Sequence, residues 1–302
     1  MKVAHLLTAR DKVRYVSDAA KSMFAQTHRP LELLLSDQGS VDGTTQVLDD
    51  LARLYNGPHT VRRLNCPLHD IRGMPGLNAH ITWAMTQTDA EVVVSLSADD
   101  YDLAQRVELV VMAQEEFHPS MVLGGMYYVN EKMEYQGETP WPTEDGWCKL
   151  EEMFPKLVGG STIQSWTHEF FDKVGGLQGV GSPDVVLPLL AILDKGAYYT
   201  HPRAHCYRKV LGERNTGLES IWGAYPENDP RRTQVEELMH FQVTAGHFTT
   251  LAKMDKLEAT PEMKLAAGQA LGQAILDRAA SWAHLRQKMS FEGIPPIPFK
   301  TA

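Results

Sequence analysis

The sequence predicts an α/β protein with a mostly parallel sheet flanked by helices. Three observations predict it. Short apolar runs alternate with amphipathic stretches through the first hundred residues. The runs end in clusters of polar residues. The connections between them are long enough for a crossover helix.

The elements follow in order. Val3–Thr8 is a short apolar run that reads as the first strand, and its charged end is unlike a signal peptide. Val13–Gln26 has helical periodicity, with Val13, Val16, Ala20, Met23 and Phe24 on one face. Leu31–Ser36 is a second strand and runs into the polar turn Asp37–Thr44. A helix over Thr45–Tyr55, a strand over Thr60–Leu64, a helix over Leu77–Met85 and a strand over Glu91–Leu96 follow. The last runs into Ser97-Ala98-Asp99-Asp100. In such a sheet, ligands bind beyond the carboxyl ends of the strands, where Thr8-Ala9-Arg10, Asp37 and Asp99-Asp100 are collected. No G-x-G-x-x-G or Walker A pattern occurs, so the dinucleotide and P-loop solutions do not apply.

The later chain is less regular. Met121–Val129 reads as a strand, Thr139–Trp147 as a loop, Asp184–Leu193 as a helix and Ala197–His201 as a short strand. Gly159-Gly160-Ser161 breaks the chain before Thr162–Phe171. Arg203 to Arg214 is locally basic. Asn228-Asp229-Pro230 marks a boundary, after which Arg231–Lys256 and Pro261–Met289 read as helices before a Pro-rich tail.

The chain has 302 residues and a net charge of −9, which weakens a case for indiscriminate polyanion binding. Its 43 % hydrophobic content excludes whole-chain disorder. Cys66, Cys148 and Cys206 are odd in number and widely spaced, which argues against a disulfide framework and suits a reducing, cytoplasmic setting. No apolar run reaches the length of a membrane span.

Several segments together resemble the inverting family 2 glycosyltransferases. Ser22–Thr27 resembles the family's S-x-x-x-Q-T helix end, and Leu35–Thr44 its V-D-D-G-S-T-D-G-T turn. Gly76-Leu77-Asn78 with Ala84 resembles its G-x-x-x-A-x-N-x-G helix. Leu96–Asp100 resembles L-D-A-D-D, and Phe171–Leu177 resembles F-x-x-V-G-G-F. The match runs in order along roughly the first 210 residues.

The resemblance implies a GT-A fold over residues 1–230, with a nucleotide-binding half (1–115) and an acceptor half (116–230). Residues 231–302 are left as a helical extension and tail. It implies transfer of a sugar from a nucleotide-diphosphate sugar, a UDP-sugar by preference, to a hydroxyl of a soluble acceptor with inversion. By that resemblance Thr8, Arg10, Asp37, Gly39, Asn78, Ser97, Ala98 and Arg208 belong to the donor site. Asp37 suits an imide N–H, because a carboxylate only accepts hydrogen bonds. Asp99, with His205, is the expected ligand of Mn²⁺ or Mg²⁺, hard ions that favour oxygen donors. Asp184, at a helix start that favours its ionised form, is the expected base for the acceptor hydroxyl. Trp141 and Trp166 are acceptor-side candidates, as is Trp147.

Three positions depart from the family pattern. Ser97 stands for the first Asp of the metal motif and adds no charge, Pro183 stands for the Glu before Asp184, and Gln38 stands for the second Asp of the turn. Plainer readings stand beside these roles. Asp37, Asp99–Asp100 and Asp184 are also suitable turn or helix caps. Arg10 and Arg14 suit a solvated helix start, while His69 and Arg72 are within reach of a diphosphate. The basic segment and Arg231-Arg232 leave hydroxymethylated bases of viral DNA as an alternative acceptor. Ser97 and Pro183 leave a donor-binding protein without turnover as another. The terminal helices either cover a sheet edge or form a homodimer contact.

Overall fold

The structure is a computed structural model. It describes residues 1–71, 73–140, 143–149, 163–177, 180, 183–209 and 229–287. Trp141, Arg72, the glycines at 159–160, the basic residues beyond Lys209 and the Pro-rich tail lie outside the described residues.

The chain opens with four strands separated by helices: β1 (Val3–Ala9), α1 (Val16–Phe24), β2 (Glu32–Asp37), α2 (Thr44–Leu54), β3 (Thr60–Asn65), α3 (Gly73–Met85) and β4 (Val92–Ser97). There follow β5 (Tyr101–Asp102), α4 (Arg106–Phe117), β6 (Met121–Val129), β7 (Tyr135–Glu138), β8 (Gly146–Trp147), β9 (Gln164–Thr167) and α5 (His168–Lys173). Last come α6 (Pro183–Ile192), β10 (Ala197–Arg208), α7 (Pro230–Lys253) and α8 (Pro261–Gln287).

Among the described residues the strands form one sheet in the order β3-β2-β1-β4-β9-β6-β10-β5, with β7 on β6 and β8 on β10. The pairs β1–β2, β1–β4, β2–β3 and β6–β10 are parallel. The antiparallel β9 sits between β4 and β6, so β4 and β6 still point the same way. The carboxyl ends of β1, β2, β3, β4, β6 and β10 therefore share one edge. The expected parallel sheet is present, but β9 was hidden in a segment without strand alternation. The expected short strand at 197–201 extends to Arg208. Its register shifts between Thr200 and His205, around Pro202, which has no amide to give a ladder.

Alternation along the strands sorts the core into two faces. Leu6, Leu34 and Val93 pack with α3, α5 and α6, while Leu7, Leu35 and Val94 pack with α1, α2 and α4. Trp166 is fully buried on the first face, stacked on Phe171, with its Nε1 3.3 Å from Met85 Sδ. That placement removes it from the acceptor side, where its residue type had put it. Trp147 pairs with Tyr198 near the start of β10, at the opposite end from the strand termini that carry the polar cluster. The terminal helices dock on this same chain. Met254, Leu257, Ala267 and Leu271 join the first face's core, and Lys173 pairs with Glu258.

Behind the polar edge lies a buried ionic node. Asp102 Oδ1 accepts from Arg106 Nη1 at 2.5 Å and lies 2.6 Å from His205 Nδ1. Asp102 Oδ2 lies 2.9 Å from His5 Nε2. Burial opposes ionisation of Asp102, but Arg106 and the two histidines outweigh it and hold the carboxyl well below the usual range. Removing one partner from such a node strands the others without a counter-charge. The Asp102→Ala variant is expected to lose about 3–5 kcal/mol of stability, measured by urea unfolding.

Candidate active site

The strand register sets the site. Ala9 lies beside Asp37, and Thr8 lies between Ser36 and Ser97. Thr8, Ser36 and Ser97 thus form a row of hydroxyl residues across β2, β1 and β4, on the face packed by α3 and α6. Asp37 is on the opposite face.

Asp37 is 2 % exposed, and its own turn uses its oxygens. Oδ2 accepts from the Ser40 amide at 3.2 Å and the Thr45 hydroxyl at 2.7 Å, and Oδ1 accepts from the Ser40 hydroxyl. The capping reading of Asp37 is therefore realised, and it fixes the turn that follows β2. Gly39 has φ +69°, and a Cβ there would lie 2.6 Å from His69 Cβ. Only glycine allows the turn to close on the loop after β3.

Arg10 fastens that loop from the other side. Its Nη1 donates to the Ile71 carbonyl at 2.7 Å and its Nη2 to the His69 carbonyl at 2.6 Å. Gln38 donates through Nε2 to the carbonyls of Leu68 at 2.8 Å and Gly76 at 3.0 Å. An aspartate could not make either bond, which gives a physical reason for Gln38 in this chain. Asn78 Nδ2 donates to the Val180 carbonyl at 2.6 Å, linking α3 to the segment before α6. Arg10 and Asn78 are thus seen bracing the site's walls.

The motif after β4 divides its carboxylates. The Asp100 carboxylate is turned inward, its Oδ1 accepting from the Arg208 amide at 2.9 Å and its Oδ2 3.4 Å from His205 Nε2. Asp99 remains at the site, and its Oδ2 accepts from Lys12 Nζ at 2.5 Å. Neither caps α4, whose N-cap is Gln105. Ala98 donates its amide to the Thr8 carbonyl at 3.1 Å, locking the turn to β1.

Two expected ligands lie elsewhere. His205 is buried between Asp100 and Asp102, so its ring is committed to the node rather than to a metal. Burial disfavours its charged form, yet the hydrogen bonds to Asp100 and Asp102 outweigh this and raise its pKa. Arg208 is 2 % exposed. Its guanidinium pairs with Asp18 at 3.0 Å and lies over the Tyr15 ring, so it braces α1 instead of facing a diphosphate. Arg203 also turns inward, donating to the Thr139 carbonyl through Nε at 3.1 Å. The described part of the basic segment is not an outward arginine patch.

Asp99 and Ser97 offer hard oxygen donors two residues apart. They fit an ion such as Mg²⁺ or Mn²⁺ that takes most of its ligands from phosphate and water. Among the described residues, no group of three His, Cys, Asp or Glu side chains is arranged to hold an ion alone.

Asp184 lies in the first turn of α6 and is half-buried. The helix runs back along the sheet from the carboxyl edge, so Asp184 is at the same edge and on the same face as Thr8 and Ser97. The sequence offered no signal for His80, whose Nε2 lies 2.6 Å from Ser36 Oγ under this face. Burial pushes the His80 pKa down to about 4, against a smaller pull upward from Asp37.

Comparison with known proteins places this architecture. The family model for glycosyl transferase family 2 matches residues 7–157, half of the chain. An uncharacterized glycosyltransferase of Nostoc sp. is 26 % identical over 191 residues, covering 58 % of this chain and 53 % of its own length. Chondroitin synthase of Pasteurella multocida is 24 % identical over 226 residues, covering 72 % of this chain and 22 % of its own length. The chain thus spans about half the length of the first relative and about a fifth of the second. Among solved structures, TarS 1–349 of S. aureus with UDP-GlcNAc superposes with a TM-score of 0.58 at 16 % identity, over 95 % of this chain and 88 % of that one. A mannosyltransferase of Pyrobaculum calidifontis with GDP-Man and Mn²⁺ gives 0.50 at 13 % identity, over 95 % and 84 %. The fold is therefore GT-A.

Two outcomes follow from this geometry. Gly39→Ala should destabilise the protein by about 1–2 kcal/mol or more, from the left-handed backbone and the His69 contact. Adding His69→Gly should recover part of the lost melting temperature. For His80, the unfolded chain binds a proton between pH 6.5 and 4 that the folded chain does not. Its contribution to stability is therefore full above pH 6.5 and falls with pH across that window, by up to about 3 kcal/mol. His5, also pushed down by burial, acts with the same sign, and His205 acts against it. Urea unfolding of His80→Gln over this range should show a flatter profile than the parent.

Proposed function

The chain belongs to glycosyl transferase family 2, and from that premise we propose that it transfers a sugar from a nucleotide-diphosphate sugar to a hydroxyl of a soluble acceptor. The reaction inverts the anomeric centre, and the preferred donor is a UDP-sugar. The observation that carries this reading is the meeting of two groups at one sheet edge. One is the group of Thr8, Ser97 and Asp99 at the ends of β1 and β4, and the other is a carboxylate, Asp184, on the helix that packs over the face of Thr8 and Ser97.

Residues from β1, the Asp37–Thr44 turn and the end of β4 hold the nucleotide. The Gly39 turn, fixed by Asp37 and closed on His69, sets the edge of that site. Asp99 holds a divalent cation, Mn²⁺ or Mg²⁺. That ion, when bound, neutralises charge developing on the leaving diphosphate. Asp184 accepts the proton of the acceptor hydroxyl as its oxygen bonds to the anomeric carbon and the bond to the diphosphate breaks. Attack from the side opposite the diphosphate gives inversion.

TarS in complex with UDP and with UDP-GlcNAc supports a uridine donor, and the Pyrobaculum enzyme with Mn²⁺ supports a divalent ion. Among the described residues, Arg203 and Arg208 turn inward, so the described part of the basic segment lends no support to hydroxymethylated DNA bases as the acceptor.

Asp184→Asn should still bind UDP by calorimetry, while sugar transfer to a mixed acceptor panel falls by about 10²–10⁴-fold. Asp99→Ala should instead weaken UDP binding measured in Mn²⁺. Transfer retained by Asp184→Asn would remove the base from this reading. Donor binding by the parent without turnover on any acceptor would favour a binding protein.

A further inference from the structure

The described part of the donor motif leaves one outward carboxylate, and that carboxylate already has a cation. Asp99 Oδ2 is 2.5 Å from Lys12 Nζ, and the side chains are 16 % and 18 % exposed. Asp100 faces inward and Ser97 carries no charge, so among the described residues Asp99 and Lys12 form a nearly neutral pair. The pair joins residues 87 apart in the chain.

The backbone beneath Lys12 is held firmly. The Lys12 amide donates to Thr44 Oγ1 at 2.8 Å, and the Val13 amide to Asp42 Oδ2 at 3.0 Å. The Asp11 amide donates to Ser40 Oγ at 2.9 Å, and the Val41 amide to Asp11 Oδ1 at 2.8 Å. The segment after β1 is thus tied to the same turn that Asp37 organises. Its anchor is fixed, while the four-carbon stem of the lysine leaves the ammonium able to swing.

We propose that Lys12 is an exchangeable counter-ion. Its ammonium holds Asp99 before the donor binds, and it moves to the diphosphate when a divalent cation takes Asp99. The inference rests on the donor reading above and assigns Lys12 a part in it. Charge explains the exchange. A sugar-nucleotide diphosphate is ionised on both phosphates. Against Asp99 and Lys12 alone it leaves the site net negative. With a divalent ion on Asp99 and Lys12 on the phosphates, the charges cancel. Metal without nucleotide must displace Lys12 into solvent, whereas metal with nucleotide gives Lys12 a new partner. Cation and nucleotide therefore bind cooperatively, and each raises the affinity of the other by the same factor.

The test measures Mn²⁺ binding from the paramagnetic resonance of free Mn²⁺, with and without UDP. In the parent, UDP should tighten Mn²⁺ binding by at least about tenfold, within the ordinary range for coupled sites. In Lys12→Met, Mn²⁺ alone should bind tighter than to the parent, and the effect of UDP should shrink. Lys12→Arg, which keeps the charge, should retain the coupling and serves if the methionine variant does not fold. If the parent binds both ligands cooperatively but Lys12→Met behaves identically, or Lys12→Arg loses the coupling, the exchange is overturned and the donor reading stands. If the parent binds neither Mn²⁺ nor UDP, the donor reading itself fails.

Discussion

The Asp102 carboxylate is the point on which both halves of the sheet depend. It joins His5 of β1, Arg106 of α4 and His205 of β10, elements far apart in sequence. Charges removed from water are tolerated only when paired and hydrogen-bonded. The node therefore fixes β5 against β10 and sets the position of the turn just before it. Asp100 accepts the Arg208 amide and faces His205, so the node also decides that Asp100 is turned inward while Asp99 is not. A buried structural network thus selects which carboxylate of an Asp-Asp pair is left outside it.

Much of this was legible in the sequence. The alternation of apolar strands and amphipathic helices through Ser97 survives in the structure with shifts of a few residues. Its legibility comes from parallel strands buried on both faces, which leave unbroken apolar runs. The polar turn after β2 was legible as a unit because its Gly and Asp residues have local roles. What was hidden depends on distant pairing. The strand at Gln164–Thr167 is four residues long and gains its identity from neighbours on β4 and β6. The full length of β10 was masked by His201-Pro202-Arg203, which interrupts the apolar pattern.

The site residues divide in the same way. Thr8, Ser97 and Asp99 lie at strand ends, where position alone predicts proximity. His205, Arg208 and Trp166 were assigned by residue type, and each is claimed by a partner that no local pattern reveals. A histidine near a carboxylate reads as a ligand only until a second carboxylate is found behind it. A tryptophan reads as a sugar platform only while a face is open, and Phe171 covers one face of Trp166. His80 and Lys12 show the reverse case: ordinary side chains whose surroundings give them weight.

The departures from the family pattern make sense together. Replacing the first motif Asp with Ser97 lowers the negative charge at the donor edge, and turning Asp100 inward lowers it again. Among the described residues, one carboxylate is then balanced by one lysine, so the pair itself carries little net charge. Gln38 acts in the same direction, because its amide adds no charge and donates two hydrogen bonds that an aspartate would lack. The walls of the site are consequently held by neutral hydrogen bonds from Gln38 and Asn78 and by Arg10 on carbonyl oxygens, none of which depends on a bound ion. The electrostatic change proposed for donor binding falls instead on Asp99 and Lys12, where a long flexible side chain can follow it without moving the fold.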